Sequence, residues 1–175
     1  MSLDRSRRGI GIDWNGWQQP TVQPNAILPH PQESRKNFFF TLDVEEDYGT
    51  AAKHKTFRGV ELGIPLILGV LDQIGITGTF FVTGQVALAY RDIVKQIAER
   101  HEVAGHGKDH RRATEYGNSD LYVSLRECLG EIKSVTGTLP VGFRAVDLVM
   151  EERLLRMLDA IGVQYDSSVM PRYPI

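Results

Sequence analysis

Hydrophobic positions along this chain switch repeatedly between a strand-like and a helix-like spacing. Residues 38–42 read Phe-Phe-Phe-Thr-Leu, a dense run of aromatic and β-preferring side chains as expected of a buried strand. Residues 60–74 carry apolar side chains at helical spacing and run into Gly75, a favoured helix stop. Residues 77–82, Thr-Gly-Thr-Phe-Phe-Val, predict a strand. Ile93, Val94, Ile97 and Ala98 form a helical stripe, and residues 102–104 a further short strand. A second stripe of Leu121, Leu125, Cys128, Leu129 and Ile132 ends near Gly137. A strand at 141–144, a helix through Leu154, Leu155, Leu158 and Ile161, and a strand at 163–165 complete the pattern. Alternation this regular implies an α/β chain, with βα units laid around a parallel sheet or barrel. Residues 1–36 differ: they are rich in Pro, Gln, Asn and Arg, with apolar residues in no period, and read as a mobile or extended arm. Trp14, Trp17 and Ile27 are its candidates for docking on the folded domain, which spans 37–175.

Composition narrows the classes. The 175 residues suffice for one domain with a hydrophobic core, and the 42% hydrophobic and 24% charged fractions are ordinary globular values. A net charge of −2 gives no footprint for nucleic acid or for a membrane surface, and Arg5, Arg7 and Arg8 read as a solvated cluster. Cys128 is the single cysteine, which excludes an internal disulfide and a cysteine metal site; its place in a helical stripe predicts a buried, inert thiol. No apolar run has the length of a membrane-spanning helix and the opening residues lack a secretory pattern, so a cytoplasmic location is expected. Nothing in the sequence sets the oligomeric state.

Chemistry-bearing residues follow the predicted strands. Asp43 to Asp47 comes after the first, His106 and His110 after the third, Arg144 after the fourth and Asp166 after the fifth. In parallel α/β folds the carboxyl ends of the strands share one face, where sites are built. Within Leu-Asp-Val-Glu-Glu-Asp, extended geometry would project Asp43, Glu45 and Asp47 to one side and Val44 and Glu46 to the other. Carboxylates this close favour a bound cation or a raised pKa on one member. His106 and His110, four apart, would share one face of a helical turn and could ligate one metal. Gly105 and Gly107 around the first histidine suggest a tight site loop, whereas His30, His54 and His101 lack such context and read as surface residues. Arg144 could hold a carboxylate in fixed orientation or form a structural ion pair, and Asp166-Ser167-Ser168 could cap a helix or turn.

In order, these segments resemble the polysaccharide deacetylase family, the NodB-homology domain of carbohydrate esterase family four. Thr41-Leu42-Asp43-Val44-Glu45 is similar to its first motif, His106 and His110 to its His-x-x-x-His, Arg144 to its third motif and Asp166-Ser167-Ser168 to its fourth. Residues 77–82 also resemble the family's second strand. The resemblance implies a distorted (β/α) barrel and a divalent metal, zinc foremost with cobalt, nickel or manganese as substitutes. Its ligands would be Glu45, His106 and His110, with Asp43 as the base and Arg144 orienting it. It implies a hydrolase acting on an N-acetylated carbohydrate, or in a sub-branch on cyclic amides such as allantoin.

Four departures qualify it. Glu45 stands where Asp is commoner, which leaves Glu46 and Asp47 as possible ligands; Gly107 replaces the usual Ser or Thr. Motif three reads Arg144-Ala145-Val146-Asp147, without the usual proline and aromatic. No histidine follows Asp166 to match the family's late general acid, so the chain reads as incomplete at its C-terminus, lacking the barrel's last strands and helices. Loss of such an acid lowers rate by about 10² to 10⁴-fold. Competing expectations are a NodB-like domain that binds glycan or metal without turnover, and a non-haem iron oxygenase, against which the βα alternation argues.

Overall fold

The computed structural model describes residues 38–47 and 56–169. The arm expected at 1–36, with Trp14, Trp17, Ile27 and the arginine cluster, lies outside them, as do His30 and His54. Five strands form one parallel sheet in the order β1-β2-β3-β4-β5: β1 (Phe40–Val44), β2 (Gly78–Val82), β3 (Glu102–Gly105), β4 (Gly142–Phe143) and β5 (Tyr165–Asp166). Each strand is laid beside its predecessor without reversal. That is the winding of a (β/α) barrel and not of a doubly wound sheet, whose order turns back on itself.

Helices occupy the crossovers. A π-helical turn at Gly59–Gly63 leads into α1 (Ile64–Ile74), with Pro65 in its first turn and Gly75 closing it at φ 68°. Between β2 and β3 lie α2 (Gly84–Ala89) and α3 (Arg91–Ala98); α4 (Asn118–Thr136) ends on Gly137 at φ 78°, and α5 (Glu152–Ala160) precedes β5. The periodicity did not announce α2. It is only six residues long and is started locally by Thr83, whose hydroxyl accepts the Val86 N–H at 3.3 Å.

The first strand departs from expectation. Only Val44 in it is fully buried, and Phe38 and Phe39, at 74% and 80% exposure, precede the pairing. Among the described residues β1 has a neighbour on one side only, so its aromatic run is not enclosed as a central strand would be. Alternation along β2 organises both faces. Phe80, wholly buried, packs into a core with Val44, Leu68, Val94, Ile97 and Ile132, while Phe81 faces the other way, under the guanidinium of Arg144 at 4.0 Å. A second cluster seats α5 against β4 through Leu121, Leu125, Phe143, Leu154 and Leu158. Full burial of a side chain the size of Phe80 contributes roughly 1.5–3 kcal/mol.

His101, expected at the surface, is buried. Its Nδ1 accepts the Gly78 N–H at 3.2 Å, its ring lies 5.2 Å from that of Phe80, and burial holds its pKa below the ordinary histidine value. Cys128 is fully buried as expected, and burial pushes its thiol up to about 12.

Candidate metal centre

The carboxyl ends of β1, β3, β4 and β5 bring the candidate residues together. Asp43 lies in the last turn of pleat of β1, and the chain bends at Glu45. His106 directly follows β3, where its N–H reaches the Val82 carbonyl at 3.0 Å. Arg144 follows β4, with its N–H on the Gly105 carbonyl at 2.9 Å. The two imidazoles do not share a helical turn as their spacing suggested. They sit on an open bend after β3, in which Gly107 takes φ 84° and so breaks any helical path between them.

Glu45 Oε2 is 2.9 Å from His106 Nε2 and 3.0 Å from His110 Nε2, and both imidazole side chains are almost wholly buried, at 2% and 6% exposure. His106 Nδ1 lies 2.8 Å from the Arg144 carbonyl. A carbonyl only accepts, so Nδ1 carries the proton, and in the neutral ring Nε2 is a bare lone pair. That lone pair faces a buried carboxylate oxygen at hydrogen-bonding distance. Acceptor against acceptor without a donor costs roughly several kcal/mol for a buried charge. Three things relieve it: a proton on His106, the Nε2–H tautomer of His110, or a cation among the three atoms. Burial of the ring opposes its charged form, but the facing carboxylates of Glu45 and Asp43 outweigh that and raise the His106 pKa above its ordinary value.

The donor set thus has the chemistry of a metal site, with a carbonyl holding the far ring nitrogen of His106 as ligating histidines use. Its spacing is contracted, and among the described residues no group of three donors stands at metal-holding distances. Tetrahedral bonds of ~2.1 Å keep donors ~3.4 Å apart, so the contacts made by Glu45 Oε2 are shorter by roughly half an ångström.

The other acidic residues divide. Asp43 Oδ1 accepts from Arg144 Nη1 at 2.7 Å, while Oδ2 faces His106 Nε2 at 3.9 Å. Glu46 is buried. Asp47 is turned away to accept from Thr56 Oγ1 and from the N–H groups of Arg58 and Gly59 at 2.8 and 2.9 Å. The Thr56 bond foremost, with those N–H groups, holds its carboxyl below the usual range.

Arg144 is the hub. Beyond Asp43 it donates to Thr41 Oγ1 at 3.1 Å, Ser167 Oγ at 2.8 Å and the Ser167 carbonyl at 3.2 Å. Asp166 closes a turn on Ser168, accepting its N–H and its hydroxyl, both at 2.8 Å; the Ser168 oxygen in turn accepts the Ala145 N–H at 2.7 Å. Ser167 thus braces Arg144, and Ser168 braces the chain just after it.

One residue that the sequence reasoning did not assign to the site stands beside it. Asp147 lies 3.9 Å through Oδ1 from His110 Nε2 and accepts from Arg112 Nε at 2.6 Å through Oδ2. It and Leu148 both take positive φ, 54° and 57°. Left-handed backbone costs an ordinary residue about 1–2 kcal/mol, less for Asp. The only signal was its place where a proline and aromatic are usual.

Comparisons with known proteins bear on the family and the fold. The polysaccharide deacetylase family profile matches residues 56–165, which include His106, His110 and Arg144 but not Asp43 or Glu45. A peptidoglycan deacetylase-like protein of Gibberella zeae is 30% identical over 111 residues, 62% of this chain and 33% of that protein. A solved Mycobacterium smegmatis structure assigned to the polysaccharide deacetylases is 33% identical with TM-score 0.61, covering 64% of this chain and 40% of the other. A carbohydrate esterase family 4 pseudoenzyme from Bacillus anthracis shares the fold at 17% identity and TM-score 0.60, covering 73% and 42%. The chain therefore spans between a third and a half of the length of these relatives. With the profile covering more than half of its residues, the chain belongs to the polysaccharide deacetylase family.

Proposed function

We propose that residues 37–175 are a metal-dependent hydrolase domain that removes N-acetyl groups from an amino-sugar polysaccharide. Glu45, His106 and His110 would hold the cation, with zinc the best match to two imidazoles and one carboxylate and with cobalt, nickel or manganese able to substitute. The observation that carries this reading is the buried Glu45 oxygen set between His106 Nε2 and His110 Nε2, at 2.9 and 3.0 Å. Because a pseudoenzyme shares this fold, the reading rests on the site and not on the architecture.

When bound, a divalent cation supplies Lewis acidity toward an amide carbonyl and toward water. The chain's own residues do the rest. Asp43 takes a proton from the attacking water at Oδ2, the oxygen on the imidazole side, because Arg144 engages Oδ1. Arg144 is itself fixed by Ser167, Thr41 and the Phe81 ring, so the base cannot rotate away. The Arg144 carbonyl fixes the His106 tautomer, which ties the orientation of base and ligand to one backbone position.

The test is hydrolysis of N-acetylglucosamine oligomers by the full chain with added zinc or cobalt, compared with Asp43→Asn, and metal binding measured separately by calorimetry. Activity lost in the variant, with metal binding retained, supports the reading. Metal bound and no turnover by the wild-type chain would make the domain a binding module, and no metal bound would refute the site.

A further inference from the structure

The two imidazoles stand in matched surroundings. Asp43 presents Oδ2 to His106 Nε2 at 3.9 Å, while its Oδ1 is clamped by Arg144 at 2.7 Å. Asp147 presents Oδ1 to His110 Nε2 at 3.9 Å, while its Oδ2 is clamped by Arg112 at 2.6 Å. In each case one carboxylate oxygen is engaged by a guanidinium and the other is aimed at the nitrogen that touches Glu45. The Asp147 side chain is only 25% exposed, and the chain adopts two successive left-handed residues to put it there. That turn is fastened by the Leu148 N–H on the Ala145 carbonyl at 3.0 Å and the Val149 N–H on the Val146 carbonyl at 3.2 Å. An ion pair with the half-exposed Arg112 alone would not call for such a backbone, because a carboxylate on an ordinary turn could reach an arginine at the surface.

We propose that Asp147 is a second carboxylate of the cation site, a positioning residue that strengthens divalent-cation binding on the His110 side, directly or through one water. The inference rests on the proposed metal reading of Glu45, His106 and His110. A negative charge beside His110 attracts the cation and orients the ligand imidazole, as outer-shell carboxylates do elsewhere, where their loss weakens metal binding by about 10 to 100-fold. Arg112 plays toward Asp147 the part that Arg144 plays toward Asp43: it fixes the carboxylate so that one oxygen stays on the site side.

The experiment is calorimetric titration of the full chain with zinc or cobalt chloride, using wild type, Asp147→Asn, Asp147→Gly and Glu45→Gln, with thermal unfolding recorded for each. Asparagine keeps the shape and tolerates left-handed backbone, and glycine removes the strain with the charge. Both Asp147 variants are expected to bind the metal about 10 to 100-fold more weakly while unfolding no earlier than wild type. A purely structural Asp147 would move stability and leave affinity alone. If wild type binds and Glu45→Gln does not, yet both Asp147 variants bind like wild type, the Asp147 inference is overturned and the metal trio stands. If wild type binds no cation, the trio reading fails and takes this one with it.

Discussion

Arg144→Ala is the perturbation whose consequences the structure lets one work out most fully. The side chain is 14% exposed and makes four hydrogen bonds, to Asp43, Thr41 and twice to Ser167, besides lying over the Phe81 ring. Breaking a buried ion pair from one side costs about 3–5 kcal/mol, because the remaining charge is left unpaired. Asp43 is 34% exposed, so water recovers part of that and the lower end applies, about 3 kcal/mol. Against a domain stability of roughly 5–15 kcal/mol this is a large fraction. Arg144→Lys keeps the charge but not the fork, and should lose about half as much. The assay is urea unfolding followed by circular dichroism on wild type, Arg144→Ala, Asp43→Asn and the double variant. A coupling of about 1–3 kcal/mol between the two sites is expected. A coupling below about 0.5 kcal/mol would refute the view that Arg144 holds Asp43, since independent sites add to within that margin.

Four further outcomes follow from the structure. Cys128, with its thiol pushed up to about 12, should resist iodoacetamide at pH 8 until the chain is unfolded by urea. Because that pKa is raised on folding, its contribution to stability is complete below the unfolded thiol's pKa of ~8.5 and is lost as pH climbs toward about 12, which alkaline unfolding curves of wild type and Cys128→Ala would register. Cation affinity should fall as pH drops through the raised His106 pKa, since the proton and the metal compete for Nε2; a pH-independent affinity in calorimetry would contradict that competition. Gly107→Ala should cost about 1–2 kcal/mol from its φ of 84°, and not from crowding, as an added Cβ meets atoms no nearer than 3.4 Å; melting shifts would show it.

Legibility in the sequence followed physical range. Gly75 and Gly137 were readable as helix stops because a left-handed C-cap is a local demand, and the apolar stripes of α1, α4 and α5 carried their own period. The parallel alternation and the strand-end placement of His106, Arg144 and Asp43 were legible for the same reason. What failed depended on distant partners. Phe38 and Phe39 have the composition of a buried strand, but they precede the pairing of β1, which among the described residues has a neighbour on one side only. His101 looked like a surface residue until β2 brought Gly78 and Phe80 to it. Asp47 had the same alternation as Glu45 and was removed from the site by bonds to Thr56, Arg58 and Gly59. Asp147 could not be placed because two left-handed residues in succession have no sequence signature outside glycine. The histidine pair was a correct juxtaposition reached through a wrong helix: Gly107 shows that spacing of four is also met by a bent loop.

The central claim is that Glu45, His106 and His110 share one cation, and X-ray absorption at the zinc edge on the zinc-loaded full chain tests it most directly. Two imidazole nitrogens and at least one carboxylate oxygen at ~2.0–2.2 Å are expected, with the imidazole signal halved in His110→Ala. A zinc spectrum without imidazole scattering, or one unchanged by loss of His110 or Glu45, would contradict the account.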